Sequence, residues 1–481
     1  MVRGKARTVG RRVGARSLMG GGRQKSQQQL ALFAESRGEA PMAAGQGTEP
    51  PVAGREAESR AEDEQLMEQA VSPENAQAAL ERVRSNRGAP GVDGMTVDEL
   101  PGWLRGNWPA LRASLLDGSY RPQPVLRVEI AKPGGGMRKL GIPTVVDRFV
   151  QQMLLQVLQR RLDPQFSESS FGFRPGRSAH QAVARAQEYI AEGRRWVVDI
   201  DLEKFFDRVN HDMLMGRLAQ RVQDKRVLRI TRAFLNAGVM ADGLVRPTDE
   251  GTPQGGPLSP LLSNLLLDDL DRELERRGLS FVRYADDCNI YVRSQRAGER
   301  VMAGVTRWLE KKLRLRVNRE KSAVGHPWER KFLGFSFTNH RQPKRRIAPG
   351  SVVRFKQMVR SLTRRSTGRS LSAVVVRLSR YLRGWLGYFG FCQTPSVLAD
   401  LQSWIHRRLR CLVWKQWKRG RTRYRELIRR GVSAPKAAMT AGSAHALWRI
   451  SRTPALSLAL PNHYFAELGL PQLRVRDAAS I

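Results

Sequence analysis

The sequence predicts an α+β fold in which a mixed region of strands and helices, to about residue 340, is followed by a region of helices alone. Two observations carry this. Apolar residues recur at helical spacing through most of the chain but switch to period two at Trp196–Leu202 and around a tight turn at residues 285–287; beyond residue 340 only the helical period remains. At 481 residues the chain also exceeds the usual size of one domain, so two or three packed units with ample core are expected.

Residues 1–65 are rich in Gly, Arg, Gln, Ala and Glu with few large apolar residues, a composition that cannot offset the entropy of ordering, and read as a disordered, partly basic tail. Ser72-Pro73 marks a helix start, with Ala79, Leu80 and Val83 on one face, and the turn-rich Gly88 to Gly94 ends it. Two extended stretches follow, Val125 to Ala131 and Met137 to Ile142, joined by Pro133-Gly134-Gly135-Gly136 into a basic hairpin with Lys132 and Arg138 flanking its tip. Helical spacing runs from Val145 to Leu162, and Phe171 to Arg177 forms a turn before another helix through Tyr189.

From Trp196, period two puts Trp196, Val198, Ile200 and Leu202 on one face and Val197, Asp199 and Asp201 on an open face. Ser259-Pro260 opens a helix with Leu262, Leu265, Leu266, Leu270 and Leu274 inward, closed by Gly278. Phe281 to Tyr284 and Cys288 to Val292 read as two short strands around Ala285-Asp286-Asp287. After a loop at residues 341–346 come basic amphipathic helices without strand signals. One has Leu378, Tyr381, Leu382, Trp385, Tyr388 and Phe389 as its stripe, with Arg377, Arg380 and Arg383 to the side. The next buries Leu398, Leu401, Ile405 and Leu412 and displays Arg407, Arg408 and Arg410. The expected division is a tail (1–65), a mixed region (66–340), a helical domain (345–425) and a C-terminal extension (426–481) that is a candidate for nucleic-acid binding.

Lys and Arg number 83 against 45 Asp and Glu, a formal charge of +38. A field of that sign concentrates polyanions, and the lead of Arg over Lys suits bidentate phosphate contacts, so nucleic acid is the first partner to expect. Composition alone serves a basic structural RNA-binding protein equally well. The three cysteines, Cys288, Cys392 and Cys411, form no CxxC pair, so neither a disulfide framework nor a zinc module is indicated. No apolar run approaches the ~18 residues of a membrane span, so a cytoplasmic protein with no membrane partner is expected.

Asp286 and Asp287 sit where the hairpin turns, and Asp201 ends a strand about 85 positions earlier, so one sheet can bring the three together. Converging carboxylates repel and are costly to bury unpaired, but two Mg²⁺ ions, with Mn²⁺ an admissible substitute, would neutralise them and serve in-line phosphoryl chemistry. By itself Tyr284-Ala285-Asp286-Asp287 is also a serviceable hairpin turn. Its company distinguishes the two readings: a carboxylate strand before it, a Gly/Pro/Gln-rich loop between, and a basic hairpin upstream.

In order and spacing these motifs resemble the reverse transcriptase and maturase proteins encoded by bacterial group II introns. Asp201 to Asp207 resembles the family's first catalytic motif, Thr252 to Pro260 its nucleotide-pocket motif, and Tyr284 to Asp287 its catalytic hairpin; Asn318 to Lys321 and Phe332 to Phe335 resemble the two that follow. Gly88 to Gly94 and Phe171 to Arg177 match blocks that retroviral enzymes lack in this form. The likeness spans residues 70 to 420.

It implies a right-hand polymerase with fingers and an antiparallel-sheet palm, then an all-helical thumb/maturase domain. Asp201, Asp286 and Asp287 would be catalytic and bind the metals, with the Leu202 carbonyl an extra ligand. Lys132, Arg138, Phe206, Gln254 and Lys321 would contact the nucleotide, Phe206 by excluding a 2′-hydroxyl. The helices with Arg377, Arg380, Arg383, Arg407 and Arg408 would clasp RNA, Arg383 to Phe389 being the strongest local match. The implied partners are group II intron RNA, an RNA template with a DNA primer, dNTPs and target DNA, with nucleoid association when DNA is bound.

Many relatives end in an HNH nuclease with zinc-type cysteine pairs, which this sequence does not show; the expectation is a compact form that primes from pre-existing ends such as replication-fork strands. Another prokaryotic reverse transcriptase (retron, diversity-generating or CRISPR-associated) and an RNA-binding maturase without polymerase activity are the alternatives.

Overall fold

A computed structural model describes residues 65–131, 137–241, 244–246, 255–366 and 368–475. All but the last residue of the expected tail lies outside these, as do Lys132 and Gln254. Ten strands are described: β1 (Val125–Ala131), β2 (Met137–Ile142), β3 (Trp196–Ile200), β4 (Val239–Ala241), β5 (Leu244–Arg246), β6 (Ser280–Tyr284), β7 (Asp287–Val292), β8 (Ala323–Gly325), β9 (Phe335–Phe337) and β10 (Arg345–Ile347). The α+β class holds, and the hairpin β1–β2 has the bounds its alternating sequence sets.

The chain divides into two compact units. One comprises residues to Ser167, Lys204–Leu270 and Leu313–Leu315. It holds the sheet β2-β1-β4-β5 and the helices Pro73–Ser85 and Val145–Leu162. Ser72 caps the first helix by accepting from the Asn75 amide at 3.3 Å, leaving Pro73 at the first helical position, where a proline costs no hydrogen bond. The block at residues 88–94 owes one glycine to close approach: a methyl at Gly91 would lie 2.7 Å from the Thr144 Cα.

The other unit comprises Glu168–Glu203, Asp271–Lys312 and Arg316 onward, so the helices beyond residue 345 share it with β3 and the hairpin β6–β7. Its antiparallel sheet, β6-β7-β3-β8, is covered on both faces. On one, Val197, Val282 and Tyr291 join a core with Ala182, Val183 and Ala186 of the helix Ala179–Ala191. On the other, the helix Gln295–Trp308 approaches so closely that a methyl at Gly298 would lie 2.6 Å from a Val324 methyl carbon. The carboxylate face of β3 is therefore not open along its length: Val197 is buried, and only the end bearing Asp199 and Asp201 is partly exposed.

The same core extends into the helices Leu371–Phe389 and Pro395–Gln416. Trp385 packs on Phe355 with centroids 4.3 Å apart, and the Tyr388 hydroxyl donates to the Leu333 carbonyl at 2.7 Å, so the Arg383–Phe389 stretch is tied to the Phe332–Phe335 turn. One expectation fails here. Part of the 341–346 loop is strand, because Arg345–Ile347 pairs antiparallel with Phe335–Phe337. Three residues are too few to show a period of their own.

Candidate active site

Antiparallel pairing sets the centre of the site. β3 faces β7 with Asp199 opposite Asn289 and Ile200 opposite Cys288. Asp201 follows the last pair on β3 as Asp287 precedes it on β7, and the charge of Asp201 acts on Asp287. β6 and β7 close at Tyr284 and Asp287, leaving Ala285 and Asp286 as a two-residue turn with Ala285 at φ +57°. The three aspartates thus gather at one end of one sheet.

The backbone of Asp201 is gripped from the loop that follows. Its amide donates to the Ser322 hydroxyl at 2.9 Å, and its carbonyl accepts from the Asn318 amide at 2.8 Å. The Asn318 to Lys321 motif, with Ser322, is therefore the bracket of the strand that ends at Asp201. It also brings the exposed Lys321 Nζ to 3.7 Å from Asp201 Oδ1. Leu202 is buried and bridges to Val317.

Electrostatically the aspartates differ. Asp199 is matched by Arg330, whose two nitrogens donate to one carboxylate oxygen at 3.1 and 2.7 Å; burial still lifts its carboxyl above the usual range against that pull. Asp287 is pushed up to about 6, first by burial and then by the charges of Asp286, Asp199 and Asp201. Oxygen donors under mutual repulsion at a sheet end suit a hard divalent cation, the donor chemistry Mg²⁺ takes. Among the described residues, no three such side chains already converge as a closed ligand cage.

The turn itself is braced. Arg283, fully buried, donates to Asp271 through Nε (2.7 Å) and Nη2 (2.5 Å), to the Ser170 hydroxyl at 2.8 Å, and to the Ala285 carbonyl at 3.0 Å. The Phe171 amide donates to the Arg283 carbonyl at 2.9 Å, and a methyl at Gly172 would collide with the Ala285 nitrogen. The block at residues 171–177 therefore lies against the turn that bears Asp286. Sequence reasoning missed Arg283, Asp271 and Arg330; an arginine within an otherwise apolar strand, one residue before the Tyr-Ala-Asp-Asp run, is the signal that flags the first of them.

Of the other expected site residues, Arg138 lies on β2 and Phe206 on a short 3₁₀ turn, Phe205–Asp207, half-buried with its ring 5.2 Å from that of Phe205. Lys132 and Gln254 lie outside the described residues. Arg377, Arg380 and Arg383 are exposed along one helix. Arg407 and Arg408 are not displayed as expected but half-buried. Arg407 stacks 3.7 Å from the centroid of Trp448 and donates to its carbonyl at 2.7 Å, and Arg408 donates to the Thr363 hydroxyl at 2.7 Å. Desolvation lowers the pKa of both. No helix among the described residues is long and apolar enough to cross a membrane.

Comparison with known proteins agrees with this geometry. The family described as reverse transcriptase (RNA-dependent DNA polymerase) matches residues 130–337, and the group II intron, maturase-specific domain matches residues 352–431. Protein YkfC of Escherichia coli (strain K12) is 32% identical over 358 residues, covering 66% of this chain and 93% of its own. The group II intron-encoded protein LtrA of Lactococcus lactis subsp. cremoris is 36% identical over 214 residues, 44% of this chain but only 35% of its own length. Among solved structures, a chain of the "Partial Cas6-RT-Cas1--Cas2 complex" is 26% identical and covers 51% of this chain and 42% of its own, at a TM-score of 0.34, too loose an overlay to carry weight.

Proposed function

This chain belongs to the reverse transcriptases and maturases encoded by group II introns, and from that premise we propose that it copies intron RNA into DNA during intron mobility and assists the splicing of that RNA. The observation that carries the polymerase half is the register that pairs Ile200 with Cys288, which brings Asp201 and Asp287 to the same end of the sheet as the turn bearing Asp286. In this reading the primer 3′-hydroxyl oxygen attacks the α-phosphorus of a dNTP, the O3′–P bond forms as the bond to the β-phosphate oxygen breaks, and pyrophosphate leaves. Two Mg²⁺ ions, when bound, lower the pKa of that hydroxyl and take up the charge of the leaving group. Asp201, Asp286 and Asp287, with the Leu202 carbonyl, are the residues to hold them. The bracket at Asn318 and Ser322 fixes Asp201 before substrate arrives.

Lys321, Lys132, Arg138 and Gln254 are assigned to the nucleotide, and Phe206 to the sugar. Residues 66–340 are assigned as fingers and palm and 345–425 as thumb, with target DNA the acceptor in mobility. For the RNA clasp, the exposed Arg377, Arg380 and Arg383 are the direct contacts. Arg407 and Arg408 serve it by holding their helix in place, since Trp448, Ser451 and Thr363 occupy them. The test is extension of a DNA primer on an RNA template with Mg²⁺: Asp286→Asn should lower the rate at least ~10³-fold, about 4 kcal/mol of transition-state stabilisation. Full activity in that variant overturns the assignment.

A further inference from the structure

We propose that Phe173 is a nucleic-acid contact: its ring stacks on a nucleotide at the growing end of the primer–template. The proposal rests on the polymerase reading for the identity of its ligand.

Two features single the residue out. Phe173 has φ +59°, the left-handed region that a bulky L-residue avoids, and the residue is 51% exposed. Each is unfavourable, and glycine or asparagine would relieve both. Strain of this kind persists where surrounding structure imposes it, and it gathers at working surfaces.

Here the surroundings impose it from both sides. Gly172 is pressed on the Ala285 backbone, which leaves no room for a Cβ. On the other side the buried Arg174 donates to the Ser170 carbonyl at 2.9 Å, folding the chain back. Phe171 and Ser170 are in turn locked to Arg283. With both flanks fixed, Phe173 projects beside the catalytic hairpin, its ring centroid 6.3 Å from that of Tyr284, the first residue of the Tyr-Ala-Asp-Asp turn.

An exposed aromatic face next to that turn is the chemistry on which a single nucleotide stacks; Arg174 is engaged by the Ser170 carbonyl and Arg177 by Glu168, so the ring itself is the contact. Every base offers a π-face, and such a platform works without sequence preference. Either strand can supply that face, the primer at its 3′ end or the template opposite it.

The full chain and its Phe173→Gly and Phe173→Trp variants test this by fluorescence anisotropy with a DNA-primed RNA template, a readout independent of catalysis. Glycine relieves the backbone, so F173G should keep its thermal midpoint at or above the parent while its Kd for the duplex rises roughly fivefold or more; F173W should restore affinity. Abasic substitution of the primer's last nucleotide, or of its template partner, should abolish the difference between parent and F173G in one arm, which names the strand.

An unchanged Kd in F173G, a weakened Kd that tryptophan does not repair, or a difference that survives both abasic substitutions overturns the proposal. Primer extension by the parent protein is measured separately, and its absence counts against the polymerase reading alone.

Discussion

The aspartate-bearing end of the β6-β7-β3-β8 sheet and the helices beyond residue 345 treat charge in opposite ways. At the sheet end carboxylates are crowded together at Asp199, Asp201, Asp286 and Asp287, and Asp287 rises to about 6 through burial first and then the charges of the other three. In the helices arginines are spread out: some stand in solvent, as Arg380 and Arg383 do, while others are turned inward onto aromatic rings and carbonyls, as Arg407 and Arg408 are. Crowded like charge is costly unless a counter-ion is due, whereas dispersed arginines cost little and suit a long, flexible polyanion. The difference teaches that the acidic site concentrates its charge at one point, whereas the basic region spreads its charge over many side chains.

The comparison breaks most severely at the carboxylates. Asp201→Asn should depress primer extension by roughly 10³-fold or more while leaving the thermal midpoint nearly unchanged, because the Asn318 and Ser322 bonds reach its backbone rather than its side chain. A large fall in the midpoint would show that the side chain serves the fold.

Beneath the turn the expected sign differs. Asp271→Asn leaves the Arg283 guanidinium buried without its counter-charge, in a pair almost wholly excluded from solvent. Calorimetry or denaturant titration should find the fold destabilised by about 3–5 kcal/mol, and a loss under 1 kcal/mol would refute the brace.

Within the helical region, His406 offers a pH test. It is buried, stacked on Phe465 with centroids 5.6 Å apart, 2.9 Å from the Gln402 amide, and held down to about 4 by burial and the charge of Arg410. Its folded pKa lies below the unfolded one, near 6.5. The unfolded chain therefore takes up a proton first, and stability falls as pH drops from about 6.5 to 4, by up to about 3 kcal/mol, with no contribution above that window. His406→Gln should flatten this part of the stability–pH curve; an unchanged slope would mean the imidazole is protonated in place.

The smallest effect separates the two kinds of arginine. Arg380→Ala with Arg383→Ala should weaken RNA binding and splicing, flatten the log–log salt dependence by roughly 0.7–0.9 for each phosphate released, and spare extension on a generic template. Arg407→Ala should instead lower the melting temperature and leave that slope nearly unchanged, since its partners are Trp448 and Ser451. Equal effects on both quantities in both variants would erase the distinction.

Much of this was legible in the chain order of residues. Local rules suffice for the hairpin at Val125–Ile142, for the helix capped by Ser72, and for the turn at Ala285, because period and turn chemistry act over a few residues. The chemistry was legible through the order of the motifs around Asp201, Asp286 and Asp287, which resemble those of the reverse transcriptase family that matches residues 130–337. Tertiary structure alone decided what depends on partners distant in sequence: the pairing that makes Arg345–Ile347 a strand, the arginine that neutralises Asp199 but not Asp287, and the inward turn of Arg407 and Arg408. It alone turned the Phe171–Arg177 block from a motif into a brace, since a charged side chain's partner is set by three-dimensional packing, which no periodicity records.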